Sequence, residues 1–347
     1  MSERDPTVAA ILAAFERHGY APTKIARDVG LSRRVIQQRL QRMKLRPEPV
    51  EIGGSRAAEF SVPSLPDDDI PVDDLVEHRI RQFARKAEHH DASRLIPVKI
   101  NLRGPIGLLV FGDPHVDDDG TDLATLRAHS DLTQQEGVFG CNIGDTQNLW
   151  VGRLARLYAE QSTSASQSWK LAEWFVSRTR WLFMVGGNHD AWAGTGDPLK
   201  WICRQIGTTY KLSEVRMGLQ FPNGRKVVVN ARHDFAGNSQ WNPAHGVMKG
   251  AQMGVRDHIL LSGHKHTSGY GVVKDPDTKR ICHAIQVASY KILDRYSVER
   301  GFRDQALSPA AMIVIDPELP ETHPDMCKLF WDPEVGAKYL AVLRGRE

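Results

Sequence analysis

Two histidines stand one residue apart in Gly263-His264-Lys265-His266, just past the apolar run Ile259-Leu260-Leu261. Alone, such a pair is more often a surface or hydrogen-bonded feature than a site. Other potential ligands stand at equivalent places. Asp113 and His115 follow the apolar stretch at 106–111 through Gly112. Asp145 follows a second apolar stretch through Gly144, and Asn188, His189 and Asp190 follow a third through Gly186-Gly187. His233 follows Val227-Val228-Val229. The set is carboxylate, carboxamide and imidazole, without thiolate, which suits borderline-hard ions such as Mn, Fe or Zn. One acid that bridges two such ions, about 3.5–4 Å apart, gives the arrangement that clamps attacking and leaving oxygens at phosphorus.

The elements that must position these residues are five short apolar strands. Each ends in Asp, Asn or His, most often through a Gly that lets the backbone come close to an ion or phosphate. In α/β proteins the strand ends share an edge, and ligands bind there, so residues distant in sequence converge. The class expected is therefore α/β. His233 has two competitors, His245 and His258, and ranks first because a strand leads directly into it. Asp117, Asp118 and Asp119 read as loop residues. Lys265 reads as a solvated loop lysine or a phosphate contact.

The motifs Asp-Pro-His (113–115), Gly-Asp-Thr-Gln-Asn (144–148), Gly-Asn-His-Asp (187–190), the strand-end His233 and Gly-His-Lys-His (263–266) together resemble the calcineurin-like metallophosphoesterase superfamily. The resemblance covers about residues 97–316. It implies a four-layered α/β/β/α sandwich around two mixed sheets, with a dinuclear metal centre. Carried over, one ion falls to Asp113, His115, Asp145 and His266. The other falls to Asn188, His233 and His264, with Asp145 bridging. His189 matches the non-ligand histidine that faces the scissile phosphate, and Asp190 is expected to orient its ring. The reaction implied is in-line attack on phosphorus by a hydroxide shared between two divalent ions, Mn first, with Fe, Zn or Ni as alternatives. Many relatives carry an acid where Asn148 stands.

A second module precedes this domain. Residues 7–18 have apolar positions at helical spacing, and Ala26, Gly30 and Ile36 have the spacing of a helix-turn-helix, with Ser32 placed to cap its second helix. The outward positions Arg33, Arg34, Gln37, Gln38 and Arg42 suit base edges and phosphates. Within 22–46, eight Lys and Arg face a single acid, Asp28. Residues 7–45 resemble the helix-turn-helix domains of bacterial and phage DNA-binding proteins. Such units also serve in docking or dimerisation. The organisation expected is a helix-turn-helix module at 1–45, a Pro-, Gly- and Asp-rich flexible linker at 46–74, and the phosphoesterase domain at 75–347, opening with a helix at 75–90.

The chain has 347 residues and a net charge of +3. It lacks a run of about 18 apolar residues that would span a membrane, or an apolar signal core. Its four scattered cysteines argue against a disulfide framework or a Cys-based zinc site, and a reducing cytoplasm fits. A nucleic-acid-binding module tethered to a phosphoesterase favours a phosphodiester in DNA. Two alternatives stand beside that reading. One is a phosphomonoesterase or small-nucleotide or cyclic-nucleotide phosphodiesterase whose first module only docks, with a dimer possible. The other is a DNA-binding regulator with an inactive enzyme fold. The intact His189 and ligand set count against the latter. The stretch 149–178 is expected to be helical, with Trp150, Arg153, Arg156, Tyr158 and Trp169 either lining a cleft or packing the helices.

Overall fold

A computed structural model describes residues 6–46, 69–150, 155–192, 196–301 and 304–345. The chain divides into two compact units, Met1–Pro71 and Val72–Glu347.

The first unit holds α1 (Pro6–His18), α2 (Pro22–Val29) and α3 (Arg33–Arg42). Gly30 ends α2 at φ 69°, in the left-handed region where a Cβ is strained. The Ser32 hydroxyl then accepts from the Val35 N–H at 3.3 Å and starts α3. Ile11, Ala14, Ile25, Ala26, Ile36 and Leu40 form a buried cluster among the three helices. Burying Ile36 and Leu40 turns Arg33, Arg34, Gln37, Gln38 and Arg42 outward, and all five are exposed.

Residues 47–68, most of the expected linker, lie outside the described residues. The helix that follows, α4 (Val72–Ala92), starts earlier than the sequence suggests and takes residues 72–74 from the linker. Pro71 precedes it, and Asp73 and Asp74 in its first turn complement the helix dipole.

In chain order the strands of the second unit are β1 (Ile96–Lys99), β2 (Ile106–Phe111), β3 (Val138–Asn142), β4 (Trp181–Gly186), β5 (Tyr210–Leu212) and β6 (Glu214–Gln220). They continue as β7 (Lys226–Arg232), β8 (Ile259–Ser262), β9 (Gly269–Lys274), β10 (Ile281–Gln286), β11 (Ala310–Ile315) and β12 (Cys327–Phe330). Two mixed six-stranded sheets result, ordered β12-β11-β2-β3-β4-β5 and β1-β6-β7-β8-β10-β9. Within the first, β2, β3 and β4 are parallel; within the second, β7, β8 and β10 are parallel.

The pleat of β2 shows how the layers stack. Leu108 and Val110 point into a core shared with Val229, Leu261 and Ile285 of the other sheet. Leu109 and Phe111, one residue out of phase, point away into a second cluster. That outer cluster is covered by α5 (Leu123–Leu132), α7 (Ala165–Arg178), α9 (Pro198–Gln205) and α12 (Pro333–Leu343), while α6 (Ala155–Tyr158) and α11 (Arg295–Arg300) are short. On the far side, α10 (His245–Met253) covers Leu260 and Ala284. The order is α/β/β/α. Strands covered on both faces read as continuous apolar runs, which is why β2, β8 and β11 do. The compact fold runs on past residue 316, since β12 pairs with β11 and α12 packs on β2 and β11.

Candidate metal centre

The parallel directions of β2, β3 and β4 bring Asp113, His115, Asp145 and Asn188 to one end of one sheet. The parallel pair β7 and β8 delivers His233, His264 and His266 from the other. Two groups of side chains there could each hold a metal ion: Asp113, His115 and His266, and Asp145, His233 and His264. Asp145 falls geometrically within the second group.

In the first group, His266 Nε2 lies 3.4 Å from Asp113 Oδ2 and 3.2 Å from His115 Nε2. Burial lowers the pKa of His115, and burial holds His266 at about 4. Both rings are thus neutral, with lone pairs to give. Asp113 Oδ1 is a buried oxygen without a hydrogen-bond partner, as a ligand oxygen would be. The Asp113 carboxyl is pushed well above the carboxylate range, by burial first and then by Asp145, which counts against placing a bare second anion there.

In the second group, His233 Nε2 lies 2.8 Å from Asn188 Oδ1, 3.1 Å from His264 Nδ1 and 3.3 Å from Asp145 Oδ2. Its Nδ1 lies 3.0 Å from the Ile143 carbonyl, which can only accept, so Nδ1 carries the hydrogen. A carbonyl behind one nitrogen is the usual way a ligating histidine is oriented. Burial pulls His233 down, but Asp145 and Asp113 outweigh it and hold the ring at about 10. A pocket that favours a proton this strongly is a pocket built for positive charge. Donor types, the paired imidazole nitrogens and the orphaned Asp113 oxygen all fit two divalent cations.

The backbone is contorted to achieve this. His115, Asp145, His264 and His266 have φ of 42°, 46°, 70° and 50°. Non-glycine residues in this region cost about 1–3 kcal/mol each and cluster at functional sites. Glycines supply the clearance. A Cβ on Gly187 would strike the Asp145 carboxylate and backbone nitrogen, and one on Gly263 would lie 2.6 Å from Asp113 Oδ1. Gly187→Ala is therefore expected to displace Asp145 and halve the bound metal, measured by elemental analysis of the purified variant. Full stoichiometry would show that the turn can yield.

His189 opens α8 (Asn188–Trp192) with Asn188. Its Nδ1 lies 2.9 Å from the Asn148 carbonyl, so Nδ1 bears the hydrogen and Nε2 faces the site, 3.8 Å from Asp145 Oδ2. The ring is therefore oriented by Asn148 and not, as the sequence suggested, by Asp190. Asp190 Oδ2 instead accepts from the Gly187 and Thr146 N–H groups, at 2.8 and 3.3 Å. It clips two ligand-bearing turns together. Burial, then Asp145, raises its carboxyl to about 7.

Asp117 and Asp118 lie in a loop, as expected, but are buried within it. Asp117 is buried and accepts from the Asn148 and Leu149 N–H groups at 2.6 and 3.2 Å and from the Ser168 hydroxyl at 3.1 Å. Asp118 accepts from Asn148 Nδ2 at 2.8 Å and from the buried Lys291 at 2.9 Å. Leu149 and Trp150 have φ of 49° and 45°. Two such residues cost about 1–2 kcal/mol each. Three hydrogen bonds to a carboxylate contribute about 1.5–3 kcal/mol each and outweigh that. Burial still raises Asp117 above the usual carboxylate range.

The other sequence candidates separate cleanly. His258 sits outside the cluster, taking the Val228 N–H and facing Glu321 at 3.1 Å, and His245 opens α10. Lys265 donates to the Gly237 carbonyl at 2.6 Å and ties down the loop after His233. Trp169 packs into the outer helical cluster; Trp150 is buried beside Tyr158, and Arg153 lies outside the described residues.

No family model and no curated protein matches this chain. Among solved structures it is similar to a conserved uncharacterized protein of Streptococcus pneumoniae, titled a predicted phosphoesterase. That likeness has 13% identity, covers 67% of this chain and 100% of the other, and has a TM-score of 0.30.

Proposed function

We propose that this protein is a dinuclear-metal-dependent phosphoesterase of the calcineurin-like kind, and that it cleaves phosphodiester bonds in DNA. The observation that carries the first part is the convergence of two three-residue donor groups with His189 beside them. Asp113, His115 and His266 would hold one ion, and Asn188, His233 and His264 the other, with Asp145 shared. Mn is the metal of choice for this oxygen and imidazole set, with Fe, Zn and Ni as competitors. When bound, the ions supply Lewis-acid polarisation of a phosphoryl oxygen and acidify water. His189 keeps its Nδ1 hydrogen on the Asn148 carbonyl. Its Nε2, facing the site, would when also protonated donate to a phosphoryl oxygen or pass that proton to the leaving group.

The DNA part rests on the exposed Arg33, Arg34, Gln37, Gln38 and Arg42 of α3, a helix with no acid in it. Among the described residues no helix is long and apolar enough to cross a membrane. The test strips the protein of metal, restores Mn, and follows labelled single- and double-stranded DNA beside mono- and bis-p-nitrophenyl phosphate. Metal-dependent DNA cleavage is expected. Deleting residues 1–71 should slow DNA cleavage by about 100-fold, the scale of a lost tether, and leave the nitrophenyl diester rate unchanged. Hydrolysis of the small esters with DNA left intact would move the function to a phosphatase or nucleotide phosphodiesterase.

A further inference from the structure

Helix α4 is 21 residues long and buries none of them. Phe83 is 75% exposed, Ile80 55% and Val76 49%. In proteins most helical stability comes from packing an apolar face, and α4 packs none of its residues against its own chain. Apart from Val72 and Leu75, the apolar residues of this face are ordered. Val76, Ile80, Phe83 and Ala87 recur at intervals of four, three and four, the d-a-d-a seam of a heptad repeat.

The edges of the seam say what covers it. Arg79 and Lys86 occupy the g positions along one edge; Glu77 and Asp91 occupy e positions along the other. In a parallel pair the g edge of one helix faces the e edge of its neighbour. Lys86 then meets Asp91 of a second copy. In an antiparallel pair g faces g, setting Arg79 against Lys86, and e faces e, setting Glu77 against Asp91. Charge thus selects one orientation and one kind of occupant.

We propose that this protein dimerises through α4 as a parallel two-stranded coiled coil, a second copy of the chain covering the Val76–Ile80–Phe83–Ala87 seam. Asp73 and His90 hold the outermost seam positions, so the pairing is short and concentration-dependent. In a parallel pair the N-terminal ends of both α4 helices lie at the same end of the seam, and a two-fold DNA site is the kind that two α1–α3 units would read. The dimer itself does not depend on the enzymatic reading.

Sedimentation equilibrium of the full chain over a dilution series tests it. The expected result is twice the chain mass of 38.8 kDa at high concentration, dissociating on dilution. The double variant Ile80→Glu, Phe83→Glu should sediment as a monomer and keep the near-ultraviolet circular dichroism of the two-sheet domain, since both side chains are exposed and only α4 loses its partner. Orientation is read by Val76→Cys and Phe83→Cys made singly; each should cross-link to itself on oxidation, because the four native cysteines are buried. A monomer at every concentration overturns the proposal. So does a dimer that survives the double variant, or one in which neither new cysteine cross-links to its own counterpart.

Discussion

Asp145→Asn is expected to cost the protein its second metal and more than about 100-fold in diester hydrolysis, beyond the 10–100-fold typical of losing an outer-shell partner. The reason is electrostatic. Asp145 is 1% exposed and sits 3.3 Å from His233 Nε2 and 3.8 Å from His189 Nε2. Its carboxyl is held far below the ordinary carboxylate range: burial alone would raise it, and the facing His233, His189 and His115 overcome burial. The surroundings therefore favour this carboxyl in its charged form. Asparagine removes the charge while nearly preserving shape. The second group is then left with imidazoles and amides, which hold a divalent ion weakly. His233 also loses the main group that holds its proton. Elemental analysis and the rate on bis-p-nitrophenyl phosphate read both effects, with circular dichroism as the check on folding. Full metal content together with a full rate would remove Asp145 from the centre.

The donor groups were legible because each stands where an apolar run ends, and an apolar run of three to six residues marks a strand more readily than a loop. That places Asp113, His115, Asp145, Asn188, His233, His264 and His266 at strand ends without any knowledge of the sheets. Two sheets, and not one, bring them together, and strand order follows from pairings between residues more than a hundred apart, such as Leu108 with Ile313. No local pattern encodes those. The supporting residues were hidden for a different reason. Asp117 and Asp118 belong to a run of acids before Gly120 that reads as loop and is loop; what stayed hidden is their burial, which depends on the N–H groups that Asn148 and Leu149 present to them. Lys291 follows β10 with no apolar or spacing signal and is recognisable only by Asp118 and Asp294, each 2.9 Å away. The misassigned role of Asp190 has the same origin. It is adjacent to His189 in sequence, but in the first turn of α8 it points back to the Gly187 and Thr146 amides.

His189→Ala should lower kcat on a diester by about 10²–10⁴, the range for losing a general acid or its hydrogen bond to developing charge. Metal content should be unchanged, because His189 belongs to neither donor group. That combination separates it from Asp145→Asn, where metal and rate fall together. The same ring gives a sharper test of the turn that holds it. Asp117 fixes the Asn148–Leu149 amides, and the Asn148 carbonyl fixes His189 Nδ1. Asp117→Asn places an amide N–H among three donors, so the turn relaxes and the ring loses its orientation. A fall of about 10–100-fold in kcat is expected, with KM and metal content little changed. In the His189→Ala background the same substitution should do almost nothing, since residues acting through one another are not additive. If Asp117→Asn instead cost its full factor in both backgrounds, Asp117 would act on substrate or metal by another route, and the carbonyl relay to His189 would be wrong.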